Sequence, residues 1–341
     1  MNFILYLFSL ILFIFLINNF FKKKNFLVST SGDKHQKFAS SDKIPLSGGI
    51  FIYLAMVFFF NYEFSIFFIF TFLILVLGFF SDLKLIKSAL SRFFLQISLV
   101  ISFVIINELK IFDTRVILLD ELLKNNFFNY LFVSFCILIL INGSNFIDGL
   151  NTLNIGYYLL ITIVIYHLRL EGLIVYQNNF GNYFLIILPI VFLINISNRL
   201  YLGDSGSYLL GFIFSILLIE MFNQNNNLSP FFIVLLLWYP CFETLFSIIR
   251  KNIFKKSPMS PDTSHLHQLI FLLMKKKYKL KLIYSNIITA NIINLYNLFI
   301  FLLAINYVSN SRIQIFFILL NLFIYTVIYF SIYFYKSKNL L

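Results

Sequence analysis

The sequence predicts an all-α, polytopic integral membrane protein with about eleven transmembrane helices, N-terminus outside and C-terminus cytoplasmic. Three observations carry this. Of 341 residues, 60% are hydrophobic and only 12% charged, against about 45–50% apolar and about 25% charged in a soluble domain. Polar breaks divide the chain into apolar runs near the length that crosses a bilayer, roughly 20 helical residues. The basic residues fall almost entirely on one side of the resulting topology. A single water-soluble domain and a disordered chain are both excluded. Cys136 and Cys241 sit inside apolar runs, so a disulfide framework is excluded too.

The expected spans are 3–20, 48–60, 64–80, 90–107, 129–141, 153–168, 183–196, 207–222, 230–249, 282–306 and 313–335, forming one transmembrane domain over 1–341. The first span has no basic residue before it and Lys22, Lys23 and Lys24 after it. A cleavable signal peptide has its charge in front and small residues at its end, so a retained anchor with its start outside is expected. With that start, only Lys110, Arg115, Lys124, Arg169 and Arg312 of the 26 Lys and Arg fall in outward loops. This is the positive-inside pattern. It accounts for the net charge of +12 without a nucleic-acid partner, and attraction to anionic lipid explains most of the basic runs.

The outward loops are plain, although the longest carries Asp113, Asp120 and Glu121. Every unusual polar cluster lies inward. Gly32-Asp33-Lys34-His35 precedes Pro45-Leu46-Ser47-Gly48-Gly49, and Ser81-Asp82 closes the third span. Asn142, Asn145 and Asp148 share a helical spacing that lets them meet one ligand or satisfy one another internally. Gly203-Asp204-Ser205-Gly206-Ser207 has glycines that admit close backbone approach and opens a helix whose N-terminus favours an anion. A carboxylate there suits Mg²⁺, which takes oxygen donors and keeps water; a tightly packed Gly/Ser loop is the plainer alternative. Asp82 alone reads more readily as a helix cap or interface anchor than as a functional group. Asp262, His265 and His267 suit a phosphate or a metal, and the absence of nearby cysteines argues against structural zinc. A one-sided set of this kind points to chemistry at the cytoplasmic interface. A transporter or lipid flippase would place such groups at mid-bilayer.

In this order the clusters resemble the polyprenyl-phosphate N-acetylhexosamine-1-phosphate transferases, glycosyltransferase family 4, from about His35 to His267. Ser81-Asp82 is similar to the family's paired aspartates. Asn142 to Asn151 resembles its Asn-x-x-Asn-x-x-Asp-Gly-x-Asp motif, and Gly203 to Ser207 its metal-site motif. Glu243 stands after Pro240 like a family acid, and Ser257 to His267 resembles the final His-x-His loop. The resemblance implies transfer of a sugar 1-phosphate from a UDP-N-acetylhexosamine to undecaprenyl phosphate, with Mg²⁺ and release of UMP, at the cytoplasmic face of the bacterial inner membrane. It implies Asp82, Asp148 and Asp204 as catalytic residues, with Asp204 and Asp82 at the metal. Asn145, His265, His267, His35 and Lys43 are implied at substrate, with Lys37 beside them; a homodimer is compatible. Two positions depart, because serine (Ser81) and asparagine (Asn151) stand where the family has aspartates. A general-base role for the first is then unexpected. The acceptor phosphate, with a second pKa of about 6, is already largely dianionic near neutrality. An active, polysaccharide-initiating enzyme of O-antigen or capsule type is expected. A phospho-MurNAc-pentapeptide transferase and a catalytically weakened member are the alternatives. The peptidoglycan branch carries consecutive histidines, whereas Leu266 separates them here.

Overall fold

The computed structural model describes residues 2–29, 43–59, 65–175, 180–253, 255 and 264–336. Among them the chain forms fourteen helices: α1 (Asn2–Lys24), α2 (Gly48–Phe59), α3 (Ile66–Asp82), α4 (Ala89–Ile106), α5 (Ile117–Leu123), α6 (Asn126–Ile147), α7 (Leu153–Leu170), α8 (Phe180–Ile196), α9 (Gly203–Asn223), α10 (Pro230–Leu236), α11 (Trp238–Ile253), α12 (Leu266–Lys276), α13 (Leu282–Ile305) and α14 (Ser311–Tyr335). No strand forms among the described residues; one isolated bridge joins Val28 to Pro45. The all-helical, polytopic expectation holds.

The expected count of eleven spans does not follow from helix length. Six described helices are long and apolar enough to cross, or seven if the bent pair α10–α11 is one span. Gly48–Phe58, Ile66–Asp82 and Asn182–Ile196 are apolar but shorter. At 1.5 Å per residue, even 17 residues reach only about 25 Å, below the hydrocarbon thickness of about 30 Å. The expected span 230–249 is broken, bent by 73° between Leu236 and Trp238. Pro240, early in α11, cannot donate an N–H and crowds the carbonyl four residues back. That carbonyl belongs to Leu236, the last residue of α10.

α9 is the hub. Its apolar residues run all round rather than along a stripe, the signature of a buried helix, and 89% of its most apolar window is buried. It packs most extensively against α3 and α6, and also against α2. The approach is close because glycines face its first turn. A Cβ on Gly78 of α3 would lie 2.4 Å from Ser205 Cα, and one on Gly49 of α2 would lie 2.5 Å from Gly206 N. The ends of α3 and α6 are thereby brought to the N-terminus of α9.

Loops complete this end. Tyr201 N donates to Pro45 O (2.8 Å) and Gly48 N to Tyr201 O (2.9 Å), tying the segment before α2 to the one before α9. The turn after α6 is fixed from outside: Thr152 N donates to Asn195 Oδ1 (2.6 Å) and Asn151 N to Asn286 Oδ1 (2.8 Å). The last inward loop contains a helix, α12, that the apolar pattern does not predict. It buries Leu266, Leu269, Ile270 and Phe271 against α13 and α14, and so brings His265, at its N-cap, onto the same end of the bundle.

Candidate active site

A cavity of about 570 Å³ opens at this end, lined by Asp82, Asn145, Asp148, Asp204 and His265 among others. Segments spread over 180 positions of sequence therefore share one wall. Asp82 ends α3, and its carboxylate caps α9: Oδ1 accepts from Asp204 N (2.8 Å) and Oδ2 from Ser205 N (3.0 Å). This satisfies donors that a helix start leaves open and sets a negative charge against its positive end. Gly203 fits here at φ +73, where a Cβ would meet Asp82 Oδ2 at 2.7 Å.

The cap turns Asp204 toward the cavity. Its Oδ1 accepts from Asn145 Nδ2 (3.1 Å). Its Oδ2 accepts from Ser81 Oγ (2.5 Å) and from Arg92 Nη1 (2.9 Å), which also donates to Ser81 Oγ (2.6 Å). Ser81 is thus a hydroxyl bridge between a carboxylate and a guanidinium. Ser81→Asp is expected to keep or raise turnover, since Arg92 is already placed to neutralise a second carboxylate. A folded but inactive variant in a UMP-release assay would show that the hydroxyl itself is required.

Asp148 caps the C-terminal end of α6 and borders the cavity. Burial holds its carboxyl well above the usual range; the charges of Asp204 and Asp82 add to this, and a hydrogen bond from Ser207 opposes it. A carboxyl raised in this way takes up a proton on folding. Its contribution therefore favours the folded state at acid pH and is lost as pH rises from about 4 through the raised value. Asp148→Asn is expected to raise the Tm of the ligand-free protein at pH 7 and to flatten its fall between acid and neutral pH. An unchanged Tm–pH profile would contradict this.

The two histidines stack, their rings 5.6 Å apart, but meet different partners. His265 Nδ1 pairs with Glu243 Oε1 (2.8 Å), and Tyr325 OH donates to Glu243 Oε2 (2.7 Å). The buried carboxylate thereby orients the ring, leaving Nε2 as the ring nitrogen not engaged by Glu243. His267 is fully buried, with both ring nitrogens unpartnered. Burial, then the neighbouring His265, push its pKa down to about 3. It packs beneath Gly149 and does not border the cavity.

Of the remaining expected residues, Lys43 is exposed and donates to Asn25 Oδ1 (2.7 Å), away from the cavity. His35 and Lys37 lie outside the described residues. Asn142 borders the cavity but donates to Gln96 Oε1 (3.1 Å), and Asn151 Nδ2 donates to Asn198 Oδ1. Sequence reasoning missed Arg92, Gln96 and Lys251 on the wall and Tyr325 behind it. Nothing in the sequence sets Arg92 apart from the basic residues of the positive-inside pattern.

Among the described residues no three His, Cys, Asp or Glu are close enough to hold a metal by themselves. Carboxylate and carboxamide oxygens of Asp82, Asn145, Asp148 and Asp204 border the cavity beside His265. That chemistry fits a hard cation completing its shell with substrate oxygens and water.

The sequence profile of glycosyl transferase family 4 matches residues 64–222, the stretch holding Ser81, Asp82, Arg92, Asn145, Asp148 and Asp204. An undecaprenyl-phosphate alpha-N-acetylglucosaminyl 1-phosphate transferase of Thermotoga maritima is 27% identical over 76% of this chain and 79% of its own. A probable undecaprenyl-phosphate N-acetylglucosaminyl 1-phosphate transferase of Bacillus subtilis is 29% identical over 58% of this chain; the match spans 55% of that relative's length. A decaprenyl-phosphate N-acetylglucosaminephosphotransferase of Mycolicibacterium smegmatis is 29% identical over 38% and 37%. With its polar residues gathered on one wall, the chain is similar over this stretch to glycosyl transferase family 4, and the relatives it resembles are named as polyprenyl-phosphate N-acetylglucosamine 1-phosphate transferases.

Proposed function

We propose that the protein transfers an N-acetylhexosamine 1-phosphate from a UDP-sugar to undecaprenyl phosphate, releasing UMP and starting a cell-surface polysaccharide. The observation that carries this reading is the convergence of Asp82, Asn145, Asp148, Asp204 and His265 on one cavity. An oxygen of the acceptor phosphate attacks the β-phosphorus of the donor, and the bond from that phosphorus to the bridging oxygen breaks, with UMP leaving. Such chemistry needs positioning and charge neutralisation more than covalent help from the protein. Mg²⁺ bound to the diphosphate would supply neutralisation and alignment.

The side chains divide the remaining work. Asp204, braced by Asn145 and Ser81, holds the cation, and Asp82 fixes the helix start that carries Asp204. His265, oriented by Glu243, presents Nε2 to a phosphate oxygen, and Lys251 adds charge on the same wall. The lipid tail lies along the apolar wall of Phe93, Phe135, Leu138, Leu245 and Ile248, where Phe135 is 54% exposed. The reading includes an eleven-crossing topology with the N-terminus outside and this site on the cytoplasmic face of the bacterial inner membrane.

Purified protein given Mg²⁺, undecaprenyl phosphate and either UDP-N-acetylglucosamine or UDP-MurNAc-pentapeptide tests the choice of donor. UMP and a lipid-linked sugar are expected from the first. Product only from the pentapeptide donor would move the chain to the peptidoglycan branch, and lipid movement across liposomes without UMP would make it a flippase.

A further inference from the structure

We infer that Arg92 is a counter-ion shared between Asp204 and the donor diphosphate: it holds the carboxylate in the ligand-free protein and releases it as cation and nucleotide enter together. The inference rests on the transferase reading and adds an order of events to it. In the structure Asp204 Oδ2 is enclosed by Ser81 Oγ at 2.5 Å and Arg92 Nη1 at 2.9 Å, with Nη1 also 2.6 Å from Ser81 Oγ. A divalent cation at this carboxylate would therefore stand beside a guanidinium, and the two positive charges compete for one oxygen.

The second observation is on the same side chain. Arg92 Nε is buried and has no hydrogen-bond partner, although Arg92 borders the cavity. A buried N–H without an acceptor is costly, and a guanidinium offers paired donors in a planar fork matched to phosphate oxygens. Entry of the diphosphate gives Nε its acceptor, and Asp204 passes to the cation. Each ligand then lowers the cost of binding the other, and the coupling is reciprocal.

The test is Mn²⁺ binding, followed by electron paramagnetic resonance on the purified protein, with and without UDP-N-acetylglucosamine. Arg92→Gln is expected to tighten nucleotide-free Mn²⁺ binding by about tenfold or more. Arg92→Lys, which keeps the charge, is expected to stay near wild type. Unchanged or weaker Mn²⁺ binding by Arg92→Gln would overturn the inference, as would equal tightening by both variants. If Arg92→Gln does not fold, Ser81→Ala removes one of the guanidinium's two acceptors here and is expected to tighten Mn²⁺ in the same direction; no tightening overturns the inference. Failure of the transferase reading is distinct, because wild type would then bind no Mn²⁺ even with the nucleotide sugar.

Discussion

Asp204→Asn is expected to lower turnover by about 10³-fold and to leave the protein folded. The carboxylate is the acidic group on which Asn145, Ser81 and Arg92 converge. Asparagine keeps its shape and one acceptor oxygen while removing its charge. The ion pair lost with it has side chains 26% and 27% exposed, and pairs near the surface contribute only about 0–1 kcal/mol. Stability should then change little while the site loses its main attraction for a cation. UMP release and Tm on the same preparation separate the two effects. Retention of full Mg²⁺-dependent turnover would reject the role given to Asp204.

Gly78→Ala is expected to do the opposite, lowering stability first and activity in consequence. The new Cβ would lie 2.4 Å from Ser205 Cα, 2.6 Å from Ser205 N and 2.7 Å from Asp204 O. All three are backbone atoms, so no rotamer change relieves the clash, and α3 must move from α9. Overpacking of this kind costs about 1–3 kcal/mol. Gly78 lies one turn before Asp82, so the same movement pulls the Asp82 carboxylate away from the N–H groups it caps. Gly172→Ala is a useful control. It lies in a turn at φ +67 with nothing near its Cβ position, where only backbone strain of about 1–2 kcal/mol is added. A Gly78→Ala protein with wild-type Tm and turnover would contradict the close packing of α3 on α9.

Much of the site was legible because its residues break the apolar pattern. Asp82, Asn145, Asp148, Asp204 and His265 stand out as polar groups at the inward ends of apolar runs, and the structure brings all five to one cavity. What stayed hidden depends on partners distant in sequence. That Asp82 caps a helix more than 120 positions away, or that Ser81 bridges Asp204 and Arg92, follows only from how α3, α4 and α9 pack. The His-x-His spacing treats its two rings alike, yet of the two buried rings only His265 borders the cavity. The rings stack 5.6 Å apart and differ in depth, with His267 lying behind against Gly149. The break in the span 230–249 was written in Pro240, whose effect falls four residues earlier than its own position. The spacing of apolar runs located the helices well, but their lengths did not yield the count of crossings.

The most direct measurement follows the β-phosphorus itself. UDP-N-acetylglucosamine carrying ³²P at that atom, incubated with the purified protein, Mg²⁺ and undecaprenyl phosphate, should deliver its label to the lipid product together with the sugar, leaving unlabelled UMP. Label retained in UDP would mean that the sugar moves without its phosphate, and label retained in intact donor by folded protein would mean that the cavity does not perform this transfer.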